Sequence, residues 1–230
     1  MRSDQGWLLA LADIATTQWG LLTAAQAGEV GVSVQQLKRL ADSGLLERLR
    51  HGVYRLYGTP ESPDDLLRAE WLAFEPARRA GDRIADEVPL GVVSHRSAAR
   101  LQGLGDLDAD LYEFTVPRRR GTRSREVGLH VAQLHPRDWR LANGLPVTRP
   151  LRTVIDLAEA RIDGGHLALI VRDAILGGDT TRAELAQHLR PFAHHYGAAL
   201  GAGRLLVDSF IRVAGVPAGA GDLLRTPDPP

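Results

Sequence analysis

The stretch from Leu21 to Leu56, LLTAAQAGEVGVSVQQLKRLADSGLLERLRHGVYRL, permits few folds, because start and stop signals recur every few residues. Thr23 can cap a short helix, AAQAGEV, by accepting from an amide left free at the helix start, and Gly31 ends it by tolerating positive φ. Ser33 caps a second helix. There Val34, Leu37, Leu40 and Ala41 recur at steps of three and four and so form one apolar face. Gln35, Arg39 and Asp42 point the other way, flanked by Gln36 and Lys38. Amides and cations pair with adenine and guanine edges in a major groove, so this face suits a recognition helix. Gly44 closes the helix. LLERLR and VYRL then read as two strands turning at His51-Gly52, a hairpin signal. The register, which the sequence leaves open, decides whether the side bearing Arg48 and Arg50 is exposed.

Two short helices, a tight turn and a basic hairpin make a winged helix-turn-helix, which sets one helix in the major groove while the wing touches backbone. The expected DNA contacts are Ser33, Gln35, Gln36, Lys38, Arg39, Arg48, Arg50, His51 and Arg55. Gln35, Gln36 and Arg39 would read bases, and Lys38, Arg48, Arg50 and Arg55 would hold phosphates. A competing reading is that such domains also serve protein contacts. The net charge of +3 over residues 33 to 55 favours phosphate only moderately.

With 230 residues and 44% hydrophobic composition, two domains with real cores are expected. The absence of cysteine excludes disulfides, thiolate nucleophiles and cysteine-ligated metals, and fits a cytoplasmic protein. The N-terminal segment is a poor signal peptide and too interrupted by Asp4 and Asp13 to span a membrane. Trp7, Leu8, Leu11 and Ile14 instead share a helical face, expected to pack under the helix-turn-helix. The overall net charge of zero hides blocks of +1 (residues 1 to 58), −6 (59 to 117), +7 (118 to 152) and −2 (153 to 230).

The expected class is α+β: a winged helix over 1–58, a mixed α/β domain with a small sheet and C-terminal helices over 59–214, and a poorly ordered tail over 215–230. Residues 58 to 65 read as a linker into a helix with Ser62 as cap. Residues 77 to 89 read as a loop or frayed helix. GVVSHRSAARLQGL reads as a strand turning into a helix that ends at Gly103. LYEFTVP, REVGLHVAQL and GLPVT read as strands, and PLRTVIDLAEA as a helix opened by Pro150. Arg118, Arg119, Arg120, Arg123 and Arg125 lie between the first two strands. A solvated hairpin tip is the default for such a run, with contact to phosphate or an acidic partner as the functional alternative. Helices are expected over 163–176, over 182–189 behind a Thr181/Glu184 capping box, and over 197–214.

Enzyme motifs are sparse. Lys38 is the sole lysine, so a PD-(D/E)xK nuclease site and a GxxxxGK phosphate loop both lack their lysine. Gly197, Gly201 and Gly203 follow no strand and suit close helix packing. Ser94, His95 and Ser97 lack a nucleophile elbow and read as a cap with a buried hydrogen bond. His188, His194 and His195 lack metal-ligand spacing. Arg152 and Asp156 read as an i, i+4 pair. No catalytic residue, metal or cofactor is expected.

In order, GLLTAAQAGEVGVSVQQLKRL, LLERLRHGVYRL, VVSHRSAARLQGL, LYEFTVPRRRG and GLPVTRPLRTVIDLAE resemble the AbiEi-type antitoxins of bacterial type IV toxin-antitoxin systems, over residues 18 to 160. The resemblance implies a winged helix that binds double-stranded operator DNA before its own operon. It further implies a second domain that counteracts a nucleotidyltransferase-like toxin. The family-like positions of that domain are Ser94, His95, Ser97, Arg149, Pro150, Arg152, Thr153 and Asp156. A symmetric operator would take two copies, as a possible dimer on DNA. Two alternatives remain: an enzyme acting on the toxin or nucleic acid through Ser94, His95 and the arginines, and a simple repressor with a ligand-binding second domain.

Overall fold

The computed structural model describes residues 4–122 and 124–215, and the chain forms two compact units, the first running to Gly91 and the second beginning at Val92. The first contains α1 (Asp4–Thr16), β1 (Leu21–Thr23), α2 (Ala24–Glu29), α3 (Val34–Asp42), β2 (Leu46–Arg50), β3 (Val53–Leu56), α4 (Asp65–Leu72) and α5 (Ala80–Ile84). Its sheet runs β1-β3-β2, antiparallel throughout. Both α2 and α3 open with full capping boxes, Thr23 with Gln26 and Ser33 with Gln36. Leu11, Ile14, Leu22, Ala27, Leu37, Leu40, Leu46 and Tyr54 close the core. Trp7 packs at its edge. Leu8 is exposed, however, and Val34 is 69% exposed. Val34 is the first residue of α3 and lies beyond the two turns that Leu37 and Leu40 press inward.

The first unit extends well past residue 58, where the domain boundary was expected, because the segment from 59 to 91 is tied to the helix-turn-helix by buried polar bonds. Gln18 and Gln26 bond each other side by side (2.7 and 3.2 Å); Gln26 also donates to the Arg78 carbonyl (2.9 Å), and Gln18 accepts from the Ala80 amide (3.2 Å). Thr23 Oγ1 donates to the Pro76 carbonyl. Residues 77 to 89, expected as loop or frayed helix, contain α5, anchored by a fully buried Arg83. Its guanidinium donates to the carbonyls of Trp71 (2.8 Å) and Leu90 (3.0 Å), pairs with Glu75 (3.2 Å) and lies 3.6 Å over the Trp71 ring. Trp71 in turn meets Trp19 edge-on, with Arg68 5.3 Å over the Trp19 ring.

The second unit contains β4 (Val92–Val93), α6 (His95–Leu101), β5 (Tyr112–Val116), β6 (Val127–Val131), β7 (Trp139–Ala142), β8 (Leu145–Thr148), α7 (Pro150–Glu159), α8 (Gly164–Leu176), α9 (Arg182–Leu189) and α10 (Gly203–Ala214). The sheet order is β6-β5-β4-β8-β7, with β4 parallel to β8 and antiparallel to β5. Helix α6 packs on β5 and α7, and α10 packs on α8 and α9 around a large aliphatic core. Gly203 is where α10 crosses α9, since a Cβ there would sit 1.9 Å from the Ala186 carbonyl oxygen.

Three local expectations need correction. Strands β5 and β6 are parallel, in register from Tyr112 opposite Val127 to Val116 opposite Val131, so the arginine-rich segment is a crossover along the sheet and not a hairpin tip. Strand β7 was not anticipated. It pairs with β8 through Asn143 (φ 50°) and Gly144 (φ 80°), the positive-φ pair of a type I′ turn. Residues 197 to 202 are not helical; α10 begins at Gly203. The expectation for the tail falls outside the described residues from 216 onward.

Candidate functional site

On α3, Gln35, Lys38 and Arg39 are exposed on the outer face, with Val34 beside them at its N-terminal end. Ser33 and Gln36 are engaged in the cap: Gln36 Oε1 accepts from the Ser33 amide (2.8 Å) and Ser33 Oγ from the Gln36 amide (3.2 Å). Gln36 was expected to read a base; its carbonyl oxygen is committed to fixing where the helix begins.

The wing divides its cations. Strands β2 and β3 pair from Leu46 opposite Leu56 to Arg50 opposite Val53, with a bulge between Arg48 and Arg50. The bulge puts an extra residue in one strand and shifts the side-chain alternation. Arg48 and His51 are exposed and share a 2.9 Å hydrogen bond at the tip. Arg50 turns inward to buried Glu70. Arg55 is 7% exposed and paired with Glu47, Glu61 (2.9 Å) and Asp65 (3.0 Å). Arg50 and Arg55 are therefore structural cations and not the phosphate contacts expected of them. The acids of the −6 block, 61, 65 and 70, neutralise them.

The second unit gathers a polar cluster that the sequence distributes over four elements. Along β5, Glu113 and Thr115 share a face, and the register sets His130 of β6 opposite Thr115. Glu113 Oε1 bonds His130 Nε2 (3.0 Å), and its other oxygen accepts from the Arg96 amide (2.8 Å). Burial alone would raise the Glu113 carboxyl, but His130 and the Arg96 amide hold it below the usual carboxylate range. The His95 ring stacks on His130 with centroids 3.4 Å apart. Burial, and then the neighbouring His130, push His95 down to about 4. His95 holds a left-handed backbone (φ 53°) at the start of α6, a costly conformation for a non-glycine residue.

From α7, Arg152 Nε donates to Asp156 Oδ1 (2.6 Å), the expected i, i+4 pair. Burial pushes the Asp156 carboxyl up to about 6 against the pull of Arg152. Two polar atoms of the cluster, Thr115 Oγ1 and Asp156 Oδ2, are buried without a hydrogen-bond partner.

Most of the other family-like positions are bonded within the fold. Ser94 is fully buried and bonds His95 Nδ1 (2.9 Å), which leaves it no exposed hydroxyl for attack. Ser97 donates to the Leu111 carbonyl and accepts from the Glu113 amide, both 2.9 Å, fixing α6 to β5. Thr153 joins Thr148 (2.8 Å) at the start of α7, Pro150 is its first residue, and Arg149 is exposed just before it. Arg118, Arg119, Arg120 and Arg125 are exposed, and Arg123 lies outside the described residues. The sequence reading missed Glu113, Thr115 and His130. The Glu-x-Thr alternation in β5 was visible, but its parallel pairing with His130 was not. Among the described residues no group of histidine and acidic side chains is arranged to hold a metal ion, and no helix is long and apolar enough to cross a membrane.

Two capped helices set across a tight turn, backed by α1 and closed by a three-stranded sheet with a hairpin wing, define the first unit as a winged helix-turn-helix. Within it, residues 10–57 match the family model described as a transcriptional regulator, AbiEi antitoxin. No curated protein matches the chain.

Proposed function

We propose that this chain is the antitoxin of a toxin-antitoxin pair and the repressor of its own operon, acting without catalysis. The observation that carries the reading is the exposed outer face of α3, set on a winged helix whose residues match the AbiEi antitoxin regulators. Gln35 and Arg39 read base edges, and Val34 offers an apolar contact to a thymine methyl. Lys38 and Arg48 hold phosphates, with His51 at the wing tip. A symmetric operator takes two copies, one per half-site. The second unit counteracts a nucleotidyltransferase-like toxin encoded beside it.

The test is a titration of the full chain against the DNA immediately upstream of its gene, with scrambled DNA and a salt series alongside. Tighter binding to the upstream sequence supports the repressor; equal weak binding to both sinks it. Arg39→Ala should cost about 1 to 3 kcal/mol on the upstream DNA and little on scrambled DNA. Expressing the neighbouring gene with and without this chain tests the antitoxin half. Host survival without the chain would refute that half.

A further inference from the structure

A cleft of about 440 Å³ runs beside the edge strand β6, within the size range of small-molecule sites. Its polar wall holds Thr115, His130, Arg152 and Asp156, and Arg119 stands at its rim. Leu129, Val131 and Ala132 give it an apolar side. A second hollow, about 590 Å³, shares Arg119, Leu129 and Val131 and adds Arg120 and Gly121.

What marks the cleft as a site is its unused bonding capacity. Thr115 and Asp156 are each only 2% exposed, and each has a side-chain oxygen without a partner in the fold. Buried polar groups nearly always have partners, because leaving one unmade costs its full desolvation. Both residues line the same cleft, so it holds bonding capacity that a bound molecule can use. Arg152 uses Nε on Asp156, leaving its terminal amino groups to the cleft, where Arg119 adds a second guanidinium. Two guanidiniums recognise a phosphate. A carboxylate oxygen with a threonine hydroxyl recognises sugar hydroxyls, which both donate and accept. A bare anion would satisfy the first pair and leave the Thr115 and Asp156 oxygens unpartnered.

We propose that this cleft of the second unit binds a ribonucleotide: the phosphate on Arg119 and Arg152, the ribose hydroxyls on Asp156 and Thr115, and the base against Leu129 and Val131. The nucleotide can be free or the 5′-phosphorylated end of an RNA; the recognising chemistry is the same. This is independent of the DNA-binding face.

The experiment is calorimetric titration of the full chain with the four ribonucleoside 5′-monophosphates, 2′-deoxyadenosine 5′-monophosphate, adenosine, inorganic phosphate and a 5′-phosphorylated RNA pentamer. We expect at least one ribonucleotide or the pentamer to bind with Kd below about 1 mM, and about tenfold more tightly than adenosine or phosphate. Preference for the pentamer assigns the site to an RNA end, and preference for a monophosphate assigns it to the free nucleotide. Arg119→Gln should weaken binding about tenfold and Thr115→Val severalfold. Neither should lower the melting temperature, since Arg119 is exposed and the Thr115 hydroxyl has no partner in the fold. Absence of saturation by every phosphorylated probe, equal affinity for the 2′-deoxy form, or binding unchanged in both variants would overturn the proposal.

Discussion

Arg48 and Arg55 sit in the same hairpin and do opposite work. Arg48 is exposed at the wing tip, whereas Arg55 is enclosed by three carboxylates. Replacing Arg48 with alanine should change stability by no more than about 0.5 kcal/mol and lower the salt slope of DNA binding by about one. Arg55→Gln should cost about 3 kcal/mol, because it takes from buried Asp65 one of its two guanidinium partners, the other being Arg68, and leave the salt slope intact. Denaturant melts with a salt series on each variant separate the two roles. Nothing near Arg55 in the sequence announced this: a strand arginine followed by a linker reads the same whether acids downstream fold back onto it or not. Asp156 gives a second test. Its folded carboxyl titrates near 6 and its unfolded one near 3.8, so the native state holds more protons between them. Its contribution is therefore lost as pH rises through that window. His95, lowered to about 4, contributes with the opposite sign, losing stability as pH falls from 6.5 toward 4. Asp156→Asn should unmask the His95 slope, so its stability climbs more steeply than that of the wild type between pH 4 and 6.5 in guanidinium melts.

Among the elements, those that carry their own punctuation were legible and those defined by distant partners were not. The capping boxes at Thr23, Ser33 and Thr181 each start a helix where the sequence marks one. Strands β5 and β6 were also visible, but alternation in a short strand does not reveal whether its neighbour runs with or against it, and the ten-residue connection 117–126 fits either. Their parallel pairing is what brings His130 beside Thr115, so most of the polar cluster was invisible along with it. Strand β7 could have been found, since Asn143-Gly144 is the strongest short-range hairpin signal. Because Gly144 holds φ at 80°, Gly144→Ala should destabilise the second unit by about 1 to 2 kcal/mol, measurable as a lowered denaturation midpoint.

At the scale of the whole molecule, the first unit is larger than the winged helix it contains. Residues 59 to 91 supply the acids for Arg50 and Arg55, the buried Leu67 and Trp71, and the carbonyls that satisfy Gln26 and Arg83. A chain ending after Gly91 should therefore fold cooperatively and bind the same DNA as the full protein. One ending at residue 58 should show no cooperative melt, because it exposes unpaired buried groups and loses apolar cover. Circular dichroism melts of the two fragments decide this. Length and composition raised the expectation of two domains, and the linker-like GTPESPDD suggested a boundary; what it could not convey is that its acids pair with the strand before it.

Separating the cations into a buried set and an exposed set has a consequence at the bench. Dissolved ions screen charges that face water and barely reach those enclosed in protein. A concentrated salt wash should accordingly strip adhering nucleic acid from this protein during purification while its ion-paired interior stays assembled, so that harsh conditions for the complex are mild ones for the fold.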